Sequence, residues 1–255
     1  MKENYKIEIE PNYICRECEV ILTDENWYAS DKKGNSYVCK KCNNKISKIW
    51  QQNNKDRQNQ LQRESNHRLI NEVIDAYGGK CACCGETRKE FLTIDHVNGD
   101  GNKHKKELGV TGSGFYRWLK QNNYPKGFQV LCFNCNCGKG SYSVCPHNND
   151  IFEKDFEAKL KESKYARYKW NLRMNIIKAY GSKCELCGEA NPHFLIIDHI
   201  NGGGNKERRI LGDWSKLYRN LRDNNYPKDN YRLLCYNCNC ALGCGRITEE
   251  ELIRE

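Results

Sequence analysis

The stretch FLTIDHVNGDGNK, residues 91–103, brings an apolar run to an end on Asp95 and His96, and it recurs 103 positions later as FLIIDHINGGGNK, residues 194–206. The same displacement lays YGGKCACCGE (77–86) on YGSKCELCGE (180–189), and VLCFNCNCGKG (130–140) on LLCYNCNCALG (233–243). Between them NNYPKG, from Asn122, matches NNYPKDN, from Asn224, after a compensated one-residue gap. A module of about 75 residues is therefore present twice. Residues identical in both copies carry weight, because one chain has kept them twice.

Each copy opens with a helical pattern, HRLINEVIDAYGG or NLRMNIIKAYGS, whose apolar residues recur at three- and four-residue steps and stop at Gly78 or Gly181. A C-x-x-C knuckle and a short apolar strand ending in Asp-His come next. A Gly-rich turn and a basic stretch lead to a second helix (FYRWLKQNN; SKLYRNLRDNN), in which Tyr116, Leu119, Tyr218 and Leu221 read as core. A Tyr-Pro turn, an apolar strand, a second knuckle and a last helix beginning near Asn136 or Asn239 complete the module. The fold class expected is thus a set of small α+β modules stabilised by zinc.

The 17 cysteines explain how so polar a chain could fold. Only 38% of the 255 residues are hydrophobic and the mean hydropathy is -0.90, which excludes a large core. Twelve cysteines form six C-x-x-C pairs, and these combine into three four-cysteine zinc sites: Cys15, Cys18, Cys39 and Cys42; Cys81, Cys84, Cys132 and Cys135; Cys184, Cys187, Cys235 and Cys238. The odd total and the lack of a secretory pattern argue against a disulfide scaffold, and no run of 18 apolar residues suggests a membrane span. A cytoplasmic location is expected. Cys83, replaced by Leu186 in the second copy, reads as filler. Cys137 and Cys240 recur and would pack beside the sites or replace a neighbouring ligand; Cys145, His147 and Cys244 receive no assignment.

Five segments are expected: an N-terminal zinc ribbon (1–45), a polar basic linker or helix (46–66), a first module (67–149), a basic helical connector (150–169) and a second module (170–255). The formal charge of +9 falls to about +3 once twelve thiolates and three Zn2+ are counted. Global charge therefore says little about a polyanion partner. Local clusters say more: Lys103, Lys105 and Lys106, with Lys206, Arg208 and Arg209, follow the Asp-His turns and are candidates for phosphate contacts or, alternatively, a solvated loop. His104, which becomes Glu207 in the second copy, reads as inessential.

Asp95, His96 and Asn136, like Asp198, His199 and Asn239, are brought together when the knuckles close. Phosphodiester hydrolysis needs a base near neutral pKa and a cation held by hard oxygen ligands. His96 and His199 suit the base. Asp95 with Asn136, and Asp198 with Asn239, suit one Mg2+ or Mn2+ per module. Because adjacent strand residues face opposite ways, each Asp-His pair is expected at a strand terminus.

Asp-His, a Gly-rich loop and a closing C-x-x-C-N, bracketed by an opening C-x-x-C, resemble the HNH (ββα-metal) endonuclease family. The likeness is strongest to its four-cysteine zinc branch, which includes phage recombination endonuclease VII, and it covers residues 77–140 and 180–243. The N-terminal ribbon resembles those preceding HNH modules in phage-encoded nucleases. The resemblance implies a ββα-metal fold, DNA as partner, His96 and His199 activating water, and a bacterial host cytoplasm if the gene is a phage's. It also assigns Asn230, in NYRLLC, to the family's middle Asn, which fixes the loop carrying the base. Gly127 falls near that position in the first module, where Asn122 or Asn123 would substitute or the site would be weaker. Two catalytic modules suggest a monomeric pseudo-dimer that cuts both strands. The alternatives are a non-catalytic nucleic-acid-binding zinc protein and an RNase of the same fold.

Overall fold

The structure is a computed structural model that describes residues 13–253, so the first twelve residues of the expected ribbon and the last two of the second module lie outside it. The chain divides into two compact units between Glu64 and Ser65. Among the described residues, no helix is long and apolar enough to cross a membrane.

In the first unit the Cys15/Cys18 knuckle sits in a turn closed by an Ile14–Ile21 bridge. Helix α1 (Ala29–Lys33) follows, then α2 (Lys40–Asn53) and the start of α3 (Lys55–Ala76). A two-hairpin ribbon would place the second knuckle on another hairpin; here it opens a helix instead. The Cys39 sulfur caps α2 by accepting the Cys42 N–H at 3.5 Å, satisfying one of the donors that every helix start leaves open. Trp27, Val38 and Leu22 fill the small core beside Cys15 and Cys39. The 46–66 segment is helical apart from the break at Asn54 between α2 and α3.

The second unit repeats one plan. In the first copy a 3-10 turn (Lys89–Phe91) leads into β1 (Leu92–His96), then α4 (Gly101–Leu108), α5 (Ser113–Gln121), β2 (Phe128–Cys132) and α6 (Phe133–Tyr142). After α7 (Asn149–Glu162) and α8 (Lys164–Ala179) come β3 (Leu195–His199), α9 (Gly204–Leu211), α10 (Trp214–Asp223), β4 (Tyr231–Cys235), α11 (Tyr236–Gly243) and α12 (Glu249–Ile253). β1 pairs antiparallel with β2, Asp95 opposite Gln129 and His96 opposite Phe128; β3 pairs with β4, Asp198 opposite Arg232 and His199 opposite Tyr231. Leu92, Ile94 and His96 face inward along β1, as period-2 alternation requires. Val73 and Ile74 of α3 pack with Phe115 and Leu119 of α5 over that face. Tyr116, Leu119, Tyr218 and Leu221 are all buried.

The 150–169 connector is more than a solvated charged helix. Ser163 caps α8 by accepting the Ala166 N–H at 3.1 Å, and Phe152 of α7 is buried. Phe156, Trp170 and Tyr142 join Phe152 around His193, whose Nδ1 lies 3.1 Å from the Tyr142 hydroxyl. Burial, with the Arg173 charge adding to it, pushes His193 down to about 4. It is therefore a neutral, aromatic-like wedge at neutral pH.

The two copies meet through a self-complementary interface. Asn134 N–H donates to Asn237 Oδ1 at 2.8 Å, and Asn237 N–H donates to Asn134 Oδ1 at 2.9 Å. Phe91, from the first copy, is buried in the core cluster of the second. Its counterpart Phe194 reaches back to Gly138 of α6 and the His147 ring. Such reciprocity is the mark of a two-fold interface, here made within one chain. Cys137 and Cys240 face each other here, and the converging sulfur groups contain their neighbours Cys135 and Cys238 instead of them.

Replacing Asn134 with Ala would leave the buried Asn237 N–H without its acceptor and should cost about 1–3 kcal/mol in urea unfolding. An unchanged midpoint would show that the pair contributes nothing.

Candidate functional site

The sulfurs of each expected tetrad converge. Cys15, Cys18, Cys39 and Cys42 form one group, Cys81, Cys84, Cys132 and Cys135 a second, and Cys184, Cys187, Cys235 and Cys238 a third, each with all ligand atoms within 4.8 Å of one another. Cross-knuckle sulfur separations are 3.7, 3.7 and 3.6 Å. A tetrahedron of sulfurs about 2.3 Å from a Zn2+ has edges of about 3.8 Å, so each group could hold zinc.

Local backbone chemistry builds these sites. In the opening knuckle Gly85 N–H bonds Cys81 O at 3.0 Å, and Gly188 N–H bonds Cys184 O at 3.0 Å. Both glycines take positive φ, 78° and 77°, where a Cβ would be strained. Ala82 N–H to Val130 O and Glu185 N–H to Leu233 O tie that knuckle to the second strand of each module. The closing knuckle caps its helix, Cys132 accepting from Cys135 N–H at 3.4 Å and Cys235 from Cys238 N–H at 3.5 Å. Strand, knuckle and helix are thus fixed as one piece.

A fourth group falls outside the sequence expectation. Cys83, read as filler, converges with Cys135 and with Cys145 and His147, the pair left unassigned, in a group that could hold a metal.

His96 and His199 end β1 and β3, where a strand terminus was expected. His96 is 7% exposed, its ring stacked on Phe115 and edge-on to Phe128. Its Nε2 lies 2.9 Å from His104 Nδ1. In the second module His199 Nε2 pairs with the Glu207 carboxylate, which also accepts the Tyr231 hydroxyl at 3.0 Å. His104, set aside because it changes between the copies, and Glu207, which stands in its place, are the direct partners of the strand-end histidines. Burial, and after it the neighbouring His104, holds His96 below the ordinary histidine value.

The basic stretches form helices α4 and α9, whereas a loop was one alternative. Their first residues, Gly101 and Gly204, abut the histidine rings: a Cβ would stand 2.9 Å from His96 Nδ1 or 2.8 Å from His199 Nδ1. Only glycine lets the helix approach so closely. Lys103, Lys105, Lys106, Lys206, Arg208 and Arg209 are exposed on these helices.

Asp95 and Asp198 face away from the histidine rings, toward the paired strand. Asp95 Oδ2 accepts from Gln129 Nε2 at 2.8 Å and Lys139 Nζ at 2.7 Å; the ammonium also reaches His96 O and Val97 O. Asp198 Oδ2 accepts from Arg232 Nε at 3.0 Å, and Arg232 continues to Glu249. Each carboxylate thus already has a cationic partner, which sequence reasoning missed because Lys139 becomes Leu242 and Gln129 becomes Arg232 in the other copy. Asn136 lies one helical turn before Lys139 on α6, and Asn239 occupies the matching place on α11. Asn136 therefore shares the helix face that Lys139 turns to β1.

Asn230 O accepts the Ile200 N–H at 3.0 Å, and its side chain faces Asn201 at 3.4 Å, tying down the loop after His199. Gly127 O does the same for Val97 N–H in the first module but has no side chain to add. The Asn122 side chain is used elsewhere, its Nδ2 bonding Trp118 O to close α5.

No protein-family model, curated protein or solved structure matches this chain.

Gly204→Ala should displace the His199 ring while leaving the tetrads intact. Imidazole NMR shifts that move with unchanged metal content would bear this out; an unmoved ring would contradict the close packing.

Proposed function

We propose that the chain is a metal-dependent endonuclease of the HNH (ββα-metal) type that hydrolyses phosphodiester bonds in DNA, with three structural Zn2+ and one Mg2+ or Mn2+ in each of its two modules. The observation that carries this is the strand-end histidine: in both copies its Nε2 is bonded and its ring held by α4 or α9. Where His199 Nε2–H donates to the Glu207 carboxylate, Nδ1 carries the lone pair, the state a general base needs. Glu207 and Tyr231 orient His199; His104 does so for His96 without a carboxylate.

The donor set for the cation fits in chemistry. Among the described residues the bonds to Asp95 and Asp198 all fall on Oδ2, so Oδ1 of each remains to join the amide oxygen of Asn136 or Asn239. A hard divalent ion bound there would neutralise charge developing on the phosphate and leaving oxygen. The exposed cations of α4 and α9 would hold flanking phosphates, and the self-complementary pairing of modules suits two cuts in one duplex.

The second reading, a zinc protein that binds nucleic acid without cutting it, is favoured by the Asp95–Lys139 and Asp198–Arg232 pairs, which give both carboxylates a purely structural use. An RNase of the same fold would share all the geometry.

Supercoiled plasmid with Mg2+ or Mn2+ should be nicked and linearised by the wild type, and the His96→Ala/His199→Ala double variant should lose about 10²-fold or more. Linear product should require both histidines. DNA retention with no cleavage in any divalent ion would favour the binding protein, and cleavage of RNA alone the RNase.

In the His199→Ala protein only His96 acts, and it must be neutral. Because burial lowers its pKa, the base form persists below the usual midpoint near 6.5. The rate should hold down to that pH and fall only beneath it; a midpoint above 6.5 would contradict the assignment.

A further inference from the structure

We propose that the first module holds a second zinc ion, bound by Cys83, Cys145 and His147 and bridged to the first through the thiolate of Cys135. The four ligand atoms lie within 4.8 Å of one another, and Cys135 belongs equally to the Cys81, Cys84 and Cys132 group. His147 Nδ1 is 3.5 Å from Cys145 Sγ and 3.2 Å from Cys135 Sγ. With Zn–N near 2.0 Å and Zn–S near 2.3 Å, a tetrahedral N–S edge is about 3.5 Å, so this spacing suits a shared metal.

The chain makes a detour to create the group. Ser143, at φ 69°, ends α6 and turns the backbone back over the helix it has just left. Asn148 N–H bonds Cys145 O at 2.9 Å to close the loop. Pro146 then rests on Gly138, where a Cβ would stand 2.7 Å from Pro146 Cδ, and the His147 ring packs against Phe194 at 4.8 Å. Four residues thus serve one arrangement: two thiols, an imidazole and a glycine that makes room.

The second copy lacks all four together. At the same displacement Cys83 becomes Leu186, Gly138 becomes Ala241, Cys145 becomes Thr248 and His147 becomes Glu250. Unrelated surface changes would not be expected to remove all three unshared ligands and the space for the loop at once. Charge favours the pairing too. One zinc with four thiolates carries about -2, whereas two zinc ions sharing six thiolates and a neutral imidazole also carry about -2, halving the burden per metal. The shared sulfur, Cys135, is fully buried, which keeps water from competing for its second lone pair.

The inference is independent of the nuclease reading and is tested on the full chain. Elemental analysis after purification in zinc should give four ions, one for each group. Cys83→Ser/Cys145→Ser and His147→Ala, checked for folding by circular dichroism, should each bring the count to three. Substitution with 113Cd should give two resonances from the first module, one shifted toward the three-sulfur, one-nitrogen range, with a coupling between the two ions transmitted by Cys135. Three ions in the wild type, or a fourth that survives both variants, would overturn the site. Four ions without metal–metal coupling would overturn the bridge.

Discussion

The meeting of two C-x-x-C knuckles at one point is the constraint from which this structure follows. A module with so few buried apolar side chains has little hydrophobic free energy to set against the entropy of ordering its chain. Structural zinc in small domains contributes about 10–16 kcal/mol of apparent binding free energy, comparable with the whole stability of an ordinary domain. A metal there would weigh as much as the core. The sulfur tetrads also dictate geometry: each closing knuckle caps a helix, each opening knuckle bonds the adjacent strand, and the Asp-His terminus is fixed relative to that helix.

Reciprocity between the copies is the second organising feature. The Asn134–Asn237 pair and the exchange of Phe91 and Phe194 bury groups that would otherwise lie at the surface of each module. Around this symmetric centre the two sites have diverged. One histidine faces another histidine, the other a carboxylate; one aspartate faces a lysine, the other an arginine. Under the proposed nuclease activity these differences would make the halves unequal in rate and in pH response.

The duplication, the tetrads, the helices and the Asp-His strand ends were legible in the sequence, because each leaves a periodic or repeated trace. What escaped lay where the copies differ. Treating identity between copies as the sign of importance discarded His104, Glu207, Lys139 and Arg232, although each directly contacts an identical residue. The 143–148 loop escaped for another reason: its partner, Cys83, is some sixty positions away, and neither knuckle spacing nor periodicity encodes a chain that doubles back. The connector was read as basic and helical, while Phe152, Phe156 and Trp170 decided its packing. Ionic residues advertise themselves along a helix; the apolar face does the anchoring.

The exchanged phenylalanines bear on the history of the chain. A module whose core is completed by a twin's side chain is poorly suited to life as a monomer, since alone it would leave a pocket open and an aromatic ring in water. Joining two genes for such a self-pairing unit requires no new contact surface, because the surface already exists and is complementary to itself. Fusion then frees the halves from the identity that a homodimer imposes, and one half can acquire a loop, a glycine or a ligand without burdening the other. The lopsided inventory of cysteines in this protein is of the kind that such freedom permits.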